Sequence, residues 1–292
     1  MGLKAKGEHG VKAVLKRDFS GAFHRCDTVE AATAACRRDR SQVCATVDGN
    51  VLMMQTPQDV ETFVEYANIL TAILRAKVRA AAVVVVVFDE PEVLTAAKRE
   101  EQELRDARRT KPATYHSADL PEVPVDDAYD HAHLLGVRNC HEIVASRPAR
   151  SRFFDAVGVE VRRRLENELT AAGAVVVFDG LDPRGADRPV GAARDVRLFG
   201  AGVGVDEVVA ALHHPPVGEG DMKLAVIEEC VRRVAARPEA ERPAPLRAVC
   251  VHFAVTIDTD SLAIGLLERA RRDVETPTRA PFQTAMLMRE RA

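Results

Sequence analysis

Six acidic side chains occur in short motifs of the kind that bind divalent metal ions. They are Asp48 in TVDGN, Asp89 in VVFDEP, Glu219 and Asp221 in GEGD, and Asp258 and Asp260 in TIDTD. Grouped carboxylates repel one another and would hold protons unless cations neutralise them, and their hard oxygen atoms suit Mg²⁺ or Mn²⁺. Two such ions about 4 Å apart can activate a water and stabilise the leaving oxygen of a phosphodiester. The motifs therefore predict a two-ion hydrolytic site.

Four of the acids form two pairs, and the spacing within each pair supports a shared site. The pairs are Glu219 with Asp221 and Asp258 with Asp260. The acids of each pair are two residues apart, so in an extended backbone they face the same side. Gly218 and Gly220 allow a tight turn before the helix predicted from Met222, which places Glu219 and Asp221 near a helix N-terminus. Taken singly, each acid could instead be a turn former at a strand end or a helix cap. Six acids in this order favour the metal site.

Four apolar, β-branched segments predict buried strands that carry these acids. They are residues 43–47, 81–88, 174–178 and 248–257. Residues 57–77 between the first two carry apolar side chains at helical spacing, which predicts a right-handed β-α-β crossover. Asp48 and Asp89 should therefore emerge at the same edge of the sheet. The predicted fold class is α/β, with a mainly parallel central sheet flanked by helices.

The remaining segments predict one domain over residues 1–292, with an irregular insertion around 111–210. Further helices are expected over 93–109, 153–169 and 222–236, and a last strand near 284–288. The adjacent His213 and His214 are expected to mark a strand end, because histidines and cysteines do not cluster at the spacing of zinc ligands.

The composition indicates a globular protein of the cytoplasm or nucleus. Apolar residues make up 47% of the chain and aromatic residues only 4%, which suits a buried parallel sheet. The net charge of -3 gives no overall attraction to nucleic acid, so a polyanion would need a local basic patch. The six cysteines form no CxxC pair and are expected to be reduced. No signal peptide is visible, and residues 80–88 are too short to span a membrane.

Taken together, these motifs resemble the PIN-like 5′-nuclease superfamily, which contains flap endonucleases and Xrn-type 5′-to-3′ exoribonucleases. The resemblance is carried by Met1-Gly2-Leu3, VDGN, VVFDEP, GEGDMKL and TIDTDSLAIGLL. The Xrn type is closer, because its Pro-Gly-Glu-Gly-Glu-His-Lys block is similar to residues 217–223 and its Leu-Asp-Ala-Asp-Leu block to residues 257–261. The resemblance implies a 5′-nuclease fold, the six acids as catalytic ligands of two Mg²⁺ or Mn²⁺ ions, and single-stranded RNA or DNA with a 5′ end as substrate.

A second correspondence lies on the helix after Asp89. Lys98, Gln102 and Arg105 keep the Lys-x3-Gln-x2-Arg spacing with which Xrn enzymes bind a 5′-terminal phosphate. On a helix these positions share one face, so the three donors can surround one phosphate. The alternative is an exposed charged face, because several glutamates share the helix.

The chain also departs from these families. Asp221 stands where the Xrn block has a glutamate, and Met222 replaces a histidine. The sequence ends soon after Asp260, so we expect a nuclease core truncated at the C-terminus. Such a core would be weakly active, dependent on a protein partner that supplies the missing module, or retained as a scaffold.

Three hypotheses follow. The leading one is a metal-dependent 5′ nuclease, a 5′-to-3′ exonuclease acting on RNA or DNA. The first alternative is a nuclease-derived structural or nucleic-acid-binding subunit of a larger assembly, although a scaffold has no reason to keep mutually repelling carboxylates. The second is a phosphatase or another acid-rich α/β hydrolase. It should carry a D-x-D motif at its first strand, whereas Asp48 is followed by Gly49 and Asn50.

Overall fold

Six strands form one sheet in the part of the chain that the computed structural model describes, which is residues 28–54, 63–107, 147–189, 192–256 and 283–288. The strands are β1 (Val43–Asp48), β2 (Val83–Val87), β3 (Val175–Asp179), β4 (Phe199–Ala201), β5 (Val251–Thr256) and β6 (Gln283–Met288). Their order across the sheet is β4-β3-β2-β1-β5-β6. Only the β3–β4 pair is antiparallel. The predicted α/β class with a mainly parallel sheet is confirmed.

The strands form where the sequence concentrates β-branched residues. Strand β2 is a run of five valines, and every residue of β1, β2 and β3 is buried. A strand covered by helices on both faces has no solvent side, so it reads as a continuous apolar run. Each of the four segments predicted from such runs forms a strand of this sheet.

Seven α-helices surround the sheet in the described ranges. They are α1 (Val29–Ala35), α2 (Gly49–Met54), α3 (Phe63–Val78), α4 (Ala96–Ala107), α5 (Arg147–Ala172), α6 (Val205–Leu212) and α7 (Gly220–Ala235). Helices α4, α5 and α7 confirm the helices predicted over 93–109, 153–169 and 222–236. None of the described helices combines the length and apolarity needed to cross a membrane.

The two faces of the sheet carry separate apolar cores. On one face, Val84 and Val86 of β2 pack in a core with residues of α3 and α5. On the other, Val83, Val85 and Val87 pack with residues of α6 and α7. This division follows from the alternation of side chains along a strand. Helix α7 packs on the second face, and its first residue, Gly220, lies at the carboxyl end of the sheet beside Asp89.

The described part of the predicted insertion around 111–210 contains regular structure, including the helix and the strand that were predicted within it. It contains α5, β3, β4 and most of α6, and β3 pairs directly with β2. Strand β4 has only three residues with glycine at its centre, so it gives no periodic signal. Residues 111–146 lie outside the described ranges. The prediction that His213 and His214 mark a strand end is wrong, because they follow helix α6.

An ion network anchors the irregular segment between β3 and β4. The guanidinium of Arg194 lies 2.7 Å from the buried carboxylate of Asp155 on α5 and also contacts Glu92. Asp182 accepts hydrogen bonds from the side chain of Arg184 and from the Asp195 amide. These bonds satisfy polar groups that a loop would otherwise bury without partners.

Candidate active site

Two of the predicted acids lie where neighbouring parallel strands end. Asp48 is the last residue of β1 and pairs in register with Val87, the last residue of β2, and Asp89 follows two residues later. Asp48 is only 7% exposed. Ligands of open α/β sheets bind at this carboxyl edge.

The N-terminus of α7 closes over these two acids. The amide of Gly220 donates a hydrogen bond of 2.7 Å to Oδ1 of Asp89. A Cβ atom placed on Gly220 would lie 3.2 Å from that oxygen, 3.9 Å from Oδ1 of Asp48 and 3.9 Å from Nδ2 of Asn50. Three polar atoms, from the end of β1, the residues after β2 and helix α2, thus lie within 4 Å of one point at the helix start. The glycine of the GEGD motif leaves that point open.

Asp221 belongs to the same group of charges. Burial raises the pKa of Asp48 to about 7, and the charges of Asp221 and Asp89 add to this increase. A hydrogen bond of 3.1 Å from the Val51 amide to Asp48 opposes it. Asp221 lies in the first turn of α7. The charges of Asp89 and Asp221 are therefore close enough to disfavour the ionisation of Asp48 in the absence of a neutralising cation.

Helix α4 brings a basic side chain to this edge. The ammonium of Lys98 lies 3.3 Å from Oε2 of Glu219 and 3.5 Å from Oε2 of Glu101. Glu219 immediately precedes α7. One of the predicted phosphate ligands is thus in contact with one of the predicted metal ligands.

The other predicted residues are only partly covered by the structure. Gln102 and Arg105 lie on α4, but their side chains are outside the described part, and Asp258 and Asp260 fall in the undescribed residues 257–282. Within the described ranges, no group of three or more His, Cys, Asp or Glu side chains is arranged so that it could hold a metal ion. The fit to Mg²⁺ or Mn²⁺ comes from the type of donor alone, since Asp48 and Asp89 bring carboxylate oxygens within 3.9 Å of one position beside Gly220.

A buried chain of four charged side chains lies beside these acids and was not predicted. It consists of Glu90, Lys223, Asp179 and His214, and we call it the ionic bridge. The ammonium of Lys223 contacts Oε1 of Glu90 and lies 3.1 Å from Oδ1 of Asp179. Nε2 of His214 lies 3.1 Å from Oδ2 of Asp179. Lys223 is fully buried, and the other three side chains are at most 9% exposed.

The charged forms of Asp179 and His214 are both favoured within the ionic bridge. Burial alone would raise the pKa of Asp179, but the hydrogen bond from His214 and the charge of Lys223 lower it overall. Burial alone would lower the pKa of His214, but the hydrogen bond and charge of Asp179 raise it. The second ring nitrogen of His214 lies 2.7 Å from the Pro215 carbonyl, so both ring nitrogens face acceptors. This environment favours the imidazolium, in which both nitrogens are donors.

The ionic bridge connects four elements of the fold. Glu90 follows β2, Asp179 ends β3, His214 follows α6 and Lys223 lies on α7. The sequence does contain one signal of it. Lys223 shares the inward face of α7 with Leu224 and Ile227, and a lysine in that position needs a buried partner.

Surface depressions of the described residues include one beside Asp89 and one at the far end of α7. A small cleft beside Asp89 is lined by polar Asn50 and Ser151 and by apolar Phe154, among others. A wider groove adjoins residues 237–247, at the far end of α7, and contains none of the predicted acids.

No family model, curated protein or solved structure matches this chain. A function must therefore be argued from the geometry of the site and from the motifs.

Proposed function

We propose that this chain is a Mg²⁺- or Mn²⁺-dependent 5′ nuclease of the PIN-like fold, which hydrolyses phosphodiester bonds of RNA or DNA from the 5′ end. One observation carries the proposal. Carboxylate oxygens of Asp48 and Asp89 face one point beside the Gly220 backbone, where α7 begins with Asp221 in its first turn. Hard oxygen donors at the carboxyl edge of a parallel sheet suit these ions.

The proposal assigns a task to each group at the edge. Bound ions would supply a Lewis acid and an activated water. Asp48, Asp89, Glu219 and Asp221 would hold them, and the resemblance adds Asp258 and Asp260. The Gly220 amide fixes the orientation of the Asp89 carboxylate through its hydrogen bond. The positive end of the α7 dipole lies at the same place and favours a phosphate there.

The proposal also assigns residues that would recognise the 5′ end of the nucleic-acid strand. Lys98, Gln102 and Arg105 would bind the 5′-terminal phosphate, so that the first phosphodiester reaches the ions. The contact of Lys98 with Glu219 supports this role, because it places a phosphate ligand next to the proposed metal ligands. On binding there, the oxygens of a 5′-phosphate would replace the carboxylates of Glu219 and Glu101 as partners of the Lys98 ammonium.

The decisive experiment is digestion of single-stranded RNA, single-stranded DNA and flapped DNA, with and without Mg²⁺ or Mn²⁺. We expect hydrolysis only with metal, and a preference of about ten- to a hundredfold for a 5′-monophosphate over a 5′-hydroxyl. Asp89→Asn should abolish hydrolysis. The matched control Asp206→Asn, an exposed aspartate on α6, should leave it unchanged. Wild-type protein that cleaves none of these substrates with either metal would refute the proposal.

A pair of neighbouring variants on α4 tests the phosphate contact separately. Lys98→Ala should reduce the preference for the 5′-monophosphate, because a phosphate contact positions the strand without breaking the bond. Arg99→Ala is the control, since the Arg99 side chain donates a hydrogen bond to the Leu94 carbonyl. An equal preference in Lys98→Ala and wild type would contradict this assignment.

The same substrates distinguish the alternative of a nuclease-derived binding subunit. That protein would bind single-stranded RNA or DNA without cleaving it, or would cleave it only after addition of a protein partner. A gel-shift measurement beside each digestion separates these outcomes.

A further inference from the structure

The proposed metal site is assembled from two separate parts of the chain. Asp48 and Asp89 come from the ends of β1 and β2, whereas Glu219 and Asp221 come from the start of α7. Metal binding would require the two parts to be held at a fixed separation. Side chains around a metal site that orient its ligands are as important as the ligands themselves.

Lys223 lies where it can hold these two parts together. It is one helical turn after Glu219, and its amide donates to the Glu219 carbonyl at 3.0 Å. Its ammonium reaches back to Glu90, the neighbour of Asp89, and to Asp179. The amide of Glu90 in turn donates to the Gly218 carbonyl at 2.8 Å. Glu90 therefore binds the chain before and after Glu219 and Gly220: its amide binds the Gly218 carbonyl, and its carboxylate binds the Lys223 ammonium.

The neighbouring backbone is shaped to admit the lysine. Gly180 follows β3 with φ +89°, and a Cβ atom on it would lie 2.9 Å from Nζ of Lys223 and 2.3 Å from the Phe88 carbonyl oxygen. A side chain at this position would collide with both. The passage for the ammonium thus depends on a glycine in a conformation that other residues rarely adopt.

We infer that Lys223 is a positioning residue of the proposed metal site, whose buried ammonium holds Glu219 and Asp221 against Asp48 and Asp89. This inference rests on the proposed function. A fully buried ammonium is costly to the fold unless it is paired. Its two carboxylate partners offset that cost and convert the lysine into a rigid connection between α7 and the strand ends.

Because Lys223 is positively charged, the direction in which its removal changes metal affinity distinguishes a positioning role from other roles. If the lysine only adds positive charge near the acids, its removal should strengthen the attraction for a divalent cation. If it only stabilises the fold, its removal should leave metal affinity unchanged. If it positions the ligands, its removal should weaken metal binding despite the gain in negative charge.

The experiment is a titration of the melting temperature of the full chain with MnCl₂, from which the half-saturating concentration is read. Metal that binds only the folded state raises the melting temperature by mass action. We expect Lys223→Met to raise the half-saturating Mn²⁺ concentration about ten- to a hundredfold. Val231→Ala is the matched control, because Val231 is buried on the same helix but lies eight residues, about two turns, after Lys223. It should lower the melting temperature but keep the wild-type half-saturation.

Lys223→Gln provides a second reading if Lys223→Met does not fold. The amide can still donate to one carboxylate but carries no charge, so we expect a smaller rise in the same direction. A fall or no change in either folded variant would overturn the inference while the wild-type metal response, and with it the proposed function, still stood. A wild-type protein that shows neither a Mn²⁺ response nor hydrolysis would overturn both.

Discussion

Asp48 and Asp179 occupy equivalent positions in the sheet, yet their surroundings have opposite effects. Each is the last residue of its strand, and each is in register with Val87 of the strand between them. Both are buried, with exposures of 7% and 3%. The pKa of Asp48 is raised to about 7 by burial and by the charges of Asp221 and Asp89. The pKa of Asp179 is lowered despite burial, because His214 and Lys223 reach it.

The difference shows that the neighbours of a buried carboxylate, more than its burial, decide what it can do. Asp179 is compensated by cations within the chain and serves to join elements. Asp48 is surrounded by further acids, so its ionised form gains from a cation supplied from outside. Perturbed carboxylates of this second kind are typical of functional sites.

The largest expected effect is a loss of stability when Asp179 loses its cationic partner Lys223 and so comes to resemble Asp48. Lys223→Met leaves Glu90 and Asp179 buried without their common cation, and breaking a buried ion pair in this way costs about 3–5 kcal/mol. We expect a loss of that size in the free energy of unfolding, measured with urea at pH 7. A loss below about 1 kcal/mol would mean that the ionic bridge is not stabilising and would remove the contrast.

Replacing Asp48 by neutral asparagine should stabilise the fold, because it removes the cost of a buried negative charge close to other acids. The folded pKa of Asp48, about 7, lies above the ordinary 3.8, so stability is lost as pH rises from about 4 through about 7. The loss amounts to at most about 4 kcal/mol. Asp48→Asn should therefore be more stable than wild type at pH 8 and equal to it near pH 4, in urea unfolding with a chelator present. Asp206→Asn should show no such difference, and equal stability of Asp48→Asn and wild type at pH 8 would contradict the raised pKa.

A smaller effect is expected from Gly180→Ala, which disturbs the ionic bridge without changing a charge. The positive φ and the contact with the Phe88 carbonyl should together cost about 1–3 kcal/mol. Gly173→Ala is a suitable control, because Gly173 also has a positive φ, +60°, but its Cβ would meet nothing within 4 Å. Equal losses in the two variants would show that the close approach to Phe88 and Lys223 contributes nothing.

The smallest effect concerns His214. Its pKa is raised above the ordinary 6.5 by Asp179, so its contribution to stability is complete below pH 6.5 and is lost as pH rises through the folded pKa. Neutral His214 keeps one of its two hydrogen bonds, which limits the loss to about 1 kcal/mol. Measured in the Asp48→Asn background, this decline should disappear in His214→Gln. If the decline persists in that double variant, another group is responsible.

The sequence was informative where structure is encoded locally. The valine-rich runs identified four strands, and the helical spacing of apolar residues identified α4, α5 and α7. The positions of Asp48 and Asp89 at one edge followed from parallel topology. Strand β4 and helix α6 escaped prediction because a three-residue strand and a two-turn helix give little periodic signal.

The inward position of Lys223 indicates that it needs a buried partner, but the partners themselves could not be predicted because they are far apart along the chain. Lys223 is 44 residues from Asp179 and 133 from Glu90. Asp179 also follows a phenylalanine at the end of a valine run, as Asp89 does. Nothing in those two local sequences reveals that one aspartate meets cations and the other meets the amide of Gly220.

The order of the elements along the chain, set against their order across the sheet, has a consequence for synthesis on the ribosome. Strands β1, β2 and β3 are neighbours and are made first, so Glu90 and Asp179 are translated before Lys223. Until α7 emerges, those two acids must remain hydrated, and until β5 emerges, β1 keeps an open edge that could pair with another chain. Contacts across such long loops form slowly. A nascent chain that ended between β3 and α7 would therefore combine an unpaired β1 edge with two acids that lack their lysine partner, and exposed strand edges of this kind favour aggregation.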